Sequence, residues 1–144
     1  MAGEGAVVEP VALGLDLHAA WDAWLTAQPH GQVLQLSGWR RLKQQFGWRS
    51  RLVANQDPGG HLHGGAQLLF QRRAGLTLAY VPRGPITDWH DVTATEALLQ
   101  AIKAAARGAG ASVLKIEPDL PDTPANRSLL AGYGFSPSAQ TVQP

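Results

Sequence analysis

The chain has 144 residues, 44% of them hydrophobic and 16% charged, enough for one cored domain and inconsistent with disorder. Twelve basic and eleven acidic residues leave a net charge of +1, which excludes a polybasic nucleic-acid binder on bulk charge, and no DNA partner is expected. There is no cysteine, which excludes disulfide frameworks, cysteine–zinc sites, iron–sulfur clusters and thiol catalysis.

Residues 1–10 (MAGEGAVVEP) read as a loose leader with two acids and no basic run, so no secretory signal is expected. A domain is expected over 11–144. A short strand is expected at Val11–Leu15, then a helix capped by Asp16 and running to Gln28, with Leu17, Trp21, Trp24 and Leu25 on one face. Ser37 is expected to cap a second helix, Gly38 to Phe46, with Trp39, Leu42 and Phe46 as its stripe and Gly47 as its stop. Three strands follow, Arg49–Asn55, His61–Arg72 and Leu76–Val81. Short Gly-bearing turns join them, which makes them an antiparallel meander.

After the loop Pro82–Asp91, Thr93 and Glu96 are expected to form a capping box on the clearest helix, whose buried face includes Leu98, Leu99 and Ile102. Ser112–Glu117 reads as a strand closed by Pro118, and a last helix spans Pro124 to Ala131. The unit from Leu76 to Glu117 is strand–helix–strand, so its two strands run parallel with a right-handed crossover. The fold class is therefore mixed α/β, with a mostly antiparallel sheet flanked by helices. It resembles the acetyltransferase-type (GNAT) fold. That fold adds strands after its last helix, and here the chain stops at Thr141–Pro144, where the next would start. A truncated chain or a half-protein is therefore expected, with an open sheet edge that invites self-association.

Ligands of open α/β sheets bind beyond the carboxyl ends of parallel strands. Arg83 and Glu117 both stand there. Alternation puts Val113, Lys115 and Glu117 on one strand face, read either as a Lys–Glu ion pair or as a polar cleft in which Glu117 takes a proton or holds an amine. Trp39 and Lys43 are neighbours at i, i+4, either a core Trp rimmed by a Lys or an aromatic platform with a cation. His61 and His63 share a strand face with no further ligand counted beside them, so no metal site is expected. An acetyl-CoA enzyme would carry a Gly-rich pyrophosphate loop before the long helix. Pro82–Asp88 has one glycine, and Pro85 removes a donor, so no cofactor is expected.

Four segments in order carry a resemblance: Gln35–Lys43 (QLSGWRRLK), Tyr80–Asp88 (YVPRGPITD), Leu114–Pro121 (LKIEPDLP) and Leu130–Phe135 (LAGYGF). Together they resemble the Fem family of peptidoglycan bridge aminoacyltransferases. The resemblance implies transfer of an amino acid from aminoacyl-tRNA to the stem peptide of a precursor, lipid II or UDP-MurNAc-pentapeptide. It implies two GNAT-like domains, of which this chain, over 11–144, is the first and supplies the precursor-binding cleft, with the tRNA met mainly through the second. It implies a cytoplasmic protein that meets the inner membrane face through lipid II. By position in the motifs, Lys43 matches a lysine at the precursor's phosphates and Glu117 an acid near the acceptor amine. Arg83, Trp39 and Lys115 are candidate cleft residues on the reading of the residues alone. Two other readings are carried: a non-catalytic GNAT-like binding module and an acetyl-CoA-dependent N-acyltransferase.

Overall fold

The computed structural model describes residues 6–8, 14–29, 33–59 and 61–138. Five strands form one sheet in the order β1 (Ala6–Val8), β2 (Arg49–Gln56), β3 (Leu62–Arg73), β4 (Leu76–Val81) and β5 (Val113–Ile116). β1 to β4 are antiparallel and β5 is parallel to β4, as the meander and crossover require. The β3–β4 hairpin turns on Ala74 and Gly75, both at positive φ (51° and 81°), the backbone twist that two-residue hairpins favour.

Helix α3 (Val92–Gly108) covers one face of the sheet. Its Leu98, Leu99, Ile102, Ala105 and Ala106 recur at helical spacing and pack on Val53, Ala66, Leu68, Phe70, Ala79 and Val81. This is the main core, and each fully buried Leu or Ile in it contributes roughly 2 kcal/mol of transfer free energy. The opposite face is covered in pieces. Helix α1 (Gly14–Thr26) lays Trp21 and Leu25 on Leu52. A 3-10 turn at Val33–Gln35 leads to α2 (Ser37–Gln44), whose Trp39 packs on Trp48, Leu69 and Tyr80. Helix α4 (Pro124–Gly132), capped by Thr123, buries no residue fully.

Several boundaries differ from the sequence reading. Ala6–Val8, inside the expected leader, pairs with Ala54 and its neighbours as β1. Gly14 and Leu15, expected to end a strand, begin α1, so Asp16 lies within the helix instead of capping it; 11–13 lie outside the described residues. Ser37 is not the cap of α2. Leu36 holds that position, and the Ser37 N–H donates to Asp22 Oδ1 (2.9 Å), so α1 satisfies the end of α2 from a distance. The expected Thr93–Glu96 box is replaced by Asp91, whose carboxylate accepts from Ala94 N at 3.1 Å. The ending of the first helix at Pro29–Gly31 and the chain end at Thr141–Pro144 fall wholly or partly outside the described residues.

One interruption of the sheet positions the site. β3 and β4 pair only from Leu69–Tyr80 to Arg73–Leu76, and beyond Tyr80 they separate. Gln35, fully buried, fills the gap. Its Oε1 accepts from Gln67 N (2.6 Å) and its Nε2 donates to Pro82 O (2.5 Å). The strands meet again where Gly65 and Ile86 exchange two 2.8 Å bonds. Only glycine fits at 65: a Cβ there would stand 2.5 Å from Val53 O and 2.7 Å from the Trp21 ring.

Candidate functional site

The face covered by α1 and α2 carries a continuous row of side chains. At one end Lys43, in the last turn of α2, holds its Nζ 5.1 Å from the Trp39 ring centre and 5.5 Å from that of Trp48. Trp48 packs tilted against Tyr80 at 6.3 Å. The Tyr80 hydroxyl donates to Glu117 Oε1 at 2.6 Å. A cation and a carboxylate are thus joined through three aromatic rings.

Local structure explains each placement. Lys43 and Trp39 are one helical turn apart. Tyr80 is the last fully buried side chain before β4 leaves β3, on the face that alternation gives Lys115 and Glu117. Glu117 follows β5, and its N–H donates to both Val81 O (3.2 Å) and Gly84 O (3.1 Å), which fixes the carboxylate at the carboxyl end of the parallel pair. Lys115 is the register partner of Tyr80 and is half-buried. Lys115 and Glu117 form no ion pair with each other; the carboxylate is held by Tyr80 instead.

Four of the five sequence-derived residues therefore sit along one face. Trp39 is at once a core residue and the rest for Lys43, and its indole Nε1 is buried without a protein partner. Arg83 stands apart. It is exposed in the loop after β4 at φ 53°, and makes no hydrogen bond or ion pair with the other four. Trp48 and Tyr80 were not singled out in the sequence. Tyr80 was within reach of the alternation argument, since β4 and β5 pair in register; Trp48 had only its place beside Gly47 at the start of a strand.

Beside Glu117, a groove of about 800 Å³ runs along the outer edge of β5, lined among others by Lys115, Glu117, Leu130 and Phe135. Its rim is braced by a bidentate pair, Arg127 Nε to Asp122 Oδ1 at 2.6 Å and Nη2 to Oδ2 at 2.9 Å. The Arg127 guanidinium holds the Asp122 carboxyl below its usual range.

At the other corner His61 and His63 face Asp57 at 3.3 and 3.7 Å, so an acid does stand beside them. Asp57 closes the β2–β3 turn by accepting from Gly59 N and His61 N, and the His61 backbone bond is the largest influence lowering its carboxyl. The N-terminus of α3, where a pyrophosphate would need bare N–H groups, is occupied by the Asp91 carboxylate, and its negative charge opposes an anion there.

Residues 18–127, about three quarters of the chain, match the FemAB family. The chain is 41% identical over 101 residues to the lipid II:glycine glycyltransferase of Staphylococcus haemolyticus, covering 69% of this chain and 24% of that protein. The Staphylococcus aureus (strain MRSA252) protein of the same name is 38% identical over 102 residues, with the same coverage. The chain thus spans about a quarter of the length of these relatives. Among solved structures, FemX superposes with a TM-score of 0.74 at 30% identity, over 89% of this chain and 31% of FemX. Glucosamine-6-phosphate N-acetyltransferase from Arabidopsis thaliana superposes with a TM-score of 0.60 over 98% of both chains at 6% identity, a likeness of fold alone. The mixed sheet is therefore of the GNAT type, and by its matched residues the chain belongs to the FemAB family.

Proposed function

We propose that this chain is the precursor-binding domain of an aminoacyltransferase that moves an amino acid from aminoacyl-tRNA to the stem-peptide amine of a peptidoglycan precursor. The observation that carries it is the row from Lys43 through Trp39, Trp48 and Tyr80 to Glu117. It suits an elongated ligand with phosphate at one end and an ammonium at the other. The relatives' name, lipid II:glycine glycyltransferase, favours a lipid-linked precursor.

In this reading Lys43 is a point charge for a phosphate. The tryptophans give an apolar floor to the sugar and lactyl portion. Glu117, oriented by Tyr80, accepts a hydrogen bond from the stem-peptide ammonium and takes its proton. The freed amine attacks the aminoacyl ester carbonyl. A C–N bond forms, the C–O bond to the tRNA ribose breaks, and the ribose oxygen leaves with a proton. Lys115 flanks the acceptor end, and Arg83 reaches it from the adjoining loop, whose Gly84 carbonyl accepts from the Glu117 N–H; both favour its carboxylates.

A second domain meets the tRNA, so the 144-residue chain alone is expected to show little or no turnover. The open edge of β5 is where two copies would pair. The place of work is the cytoplasm at the inner membrane face, and no helix among the described residues is long and apolar enough to cross a membrane.

Calorimetric titration with UDP-MurNAc-pentapeptide, with acetyl-CoA in parallel, tests the reading. The expected result is precursor binding that weakens roughly tenfold or more in Lys43→Ala, the loss of one charge-assisted contact. Binding of acetyl-CoA alone would overturn it in favour of a small-molecule acyltransferase.

A further inference from the structure

Charge is segregated along the strand direction. β2, β4 and β5 begin, and β3 ends, at one end of the sheet, its base. The last turns of α2 and α3 reach the base as well, through short connections to β2 and β5. Six of the twelve basic residues gather there: Arg41, Lys43, Arg49, Arg72, Arg73 and Arg107. Among the described residues none of the six is ion-paired.

Asp16 is in the first turn of α1, and the other described acids lie away from the base. Asp57 is in the β2–β3 turn, Asp88 to Glu96 surround the start of α3, and Glu117 to Asp122 follow β5. Asp22 is bonded at the start of α2. A net charge of +1 thus conceals six cations gathered at one end of the sheet.

The base also exposes large apolar groups. Phe46, in the turn after α2, is 69% exposed; Leu76, at the hairpin opposite Arg73, is 58% exposed; Leu42 is 44% exposed. Cations interleaved with protruding Phe and Leu are the chemistry of a surface that meets anionic headgroups and dips side chains among acyl chains. An RNA backbone would use the cations and leave Leu76 and Leu42 in water.

We propose that the base of the sheet is a docking surface for an anionic lipid bilayer, with Phe46 and Leu76 entering it and Arg49 and Arg72 beside them on its headgroups. The orientation rests in part on the function proposed above. Lys43 is both a member of the base and the phosphate end of the row, so a lipid-linked diphosphate at Lys43 would lie in the headgroup layer while the stem peptide reached Glu117.

The test is co-sedimentation of the 144-residue chain with vesicles of phosphatidylcholine containing about a quarter phosphatidylglycerol, and with phosphatidylcholine alone, neither containing precursor. Binding is expected only with the anionic vesicles. It should fall at least about tenfold between about 0.1 and about 0.5 M salt. The pair Arg49→Glu with Arg72→Glu, both exposed and outside the row, should weaken it by roughly tenfold or more. Phe46→Ser with Leu76→Ser should also weaken it.

Equal binding to both vesicles, or to neither, overturns the proposal. So does an apolar pair of variants that binds as tightly as the parent. If charge reversal instead lowers binding of uncharged tRNA while vesicle binding is absent, the base is an RNA surface. Titration with soluble UDP-MurNAc-pentapeptide separates the two readings. Precursor binding without vesicle binding sinks the docking surface alone; vesicle binding without precursor binding sinks the proposed function and leaves the base as a membrane surface.

Discussion

The two faces of the sheet are built by different rules. The α3 face is closed by one 17-residue helix and filled with Leu, Ile, Val, Phe and Ala. The other face is covered by two helices and a turn, and it buries more polar groups without a protein partner: the Trp39 indole N–H, the Ser37 hydroxyl and both amide atoms of Gln67, against Asn55 Oδ1 on the α3 face. Unsatisfied buried polar groups cost stability and are uncommon away from places where a ligand or water meets them. The comparison assigns cohesion to the α3 face and recognition to the α2 face. A domain that must leave one sheet face receptive gathers its stability on the other.

That division is open to attack by substitution, beginning with the largest effect. In the longer protein to which this domain is proposed to belong, Glu117→Gln should lower kcat by roughly 100- to 10,000-fold, the usual range for a lost acid–base group. Its melting temperature should stay within a few degrees. A rate within threefold of the parent would remove Glu117 from the chemistry.

On the opposite face, Ile102→Ala should cost about 3 kcal/mol in denaturant unfolding, since Ile102 is fully buried against the sheet. Precursor affinity at temperatures where the variant is folded should be unchanged. Equal losses of affinity and stability would mean that the two faces are not separable.

Gln35→Ala probes the seam between them. It strands Gln67 N–H and Pro82 C=O in the interior, for an expected loss of about 2–3 kcal/mol. It should also loosen the loop that carries Arg83 and Gly84, seen as faster amide exchange there. Tyr80→Phe is the mildest change. It removes one hydrogen bond to Glu117 and should cost about 1 kcal/mol in transition-state stabilisation, roughly a fivefold fall in kcat/KM, with the fold retained.

Much of this arrangement was legible from local pattern. The meander, the crossover through α3 and the Trp39–Lys43 pair follow from periodicity and turn residues, which need no knowledge of distant segments. The features that escaped depend on long-range partners. β1 is three residues long and exists by pairing with β2. Ser37 failed as a cap because Asp22, fifteen residues earlier, reaches its N–H. Gln35 opens the Gln35–Lys43 motif, but nothing local signals its role, which is to bridge two strands that separate 32 and 47 residues away. Within the site, Lys43, Trp39, Lys115 and Glu117 were found as two local pairs. Tyr80 was within reach of alternation along β4, but its contact with Trp48 runs across the intervening β3 and is visible only in the assembled sheet.

The most direct measurement is amide hydrogen exchange on the 144-residue chain with and without saturating UDP-MurNAc-pentapeptide. Added protection is expected in α2 and the start of β2, and around Tyr80–Gly84 and Lys115–Glu117, with α3 unchanged. Protection confined to α3 and β1, or absent from α2 while the precursor is bound, would contradict the claim that one row from Lys43 to Glu117 forms the precursor site.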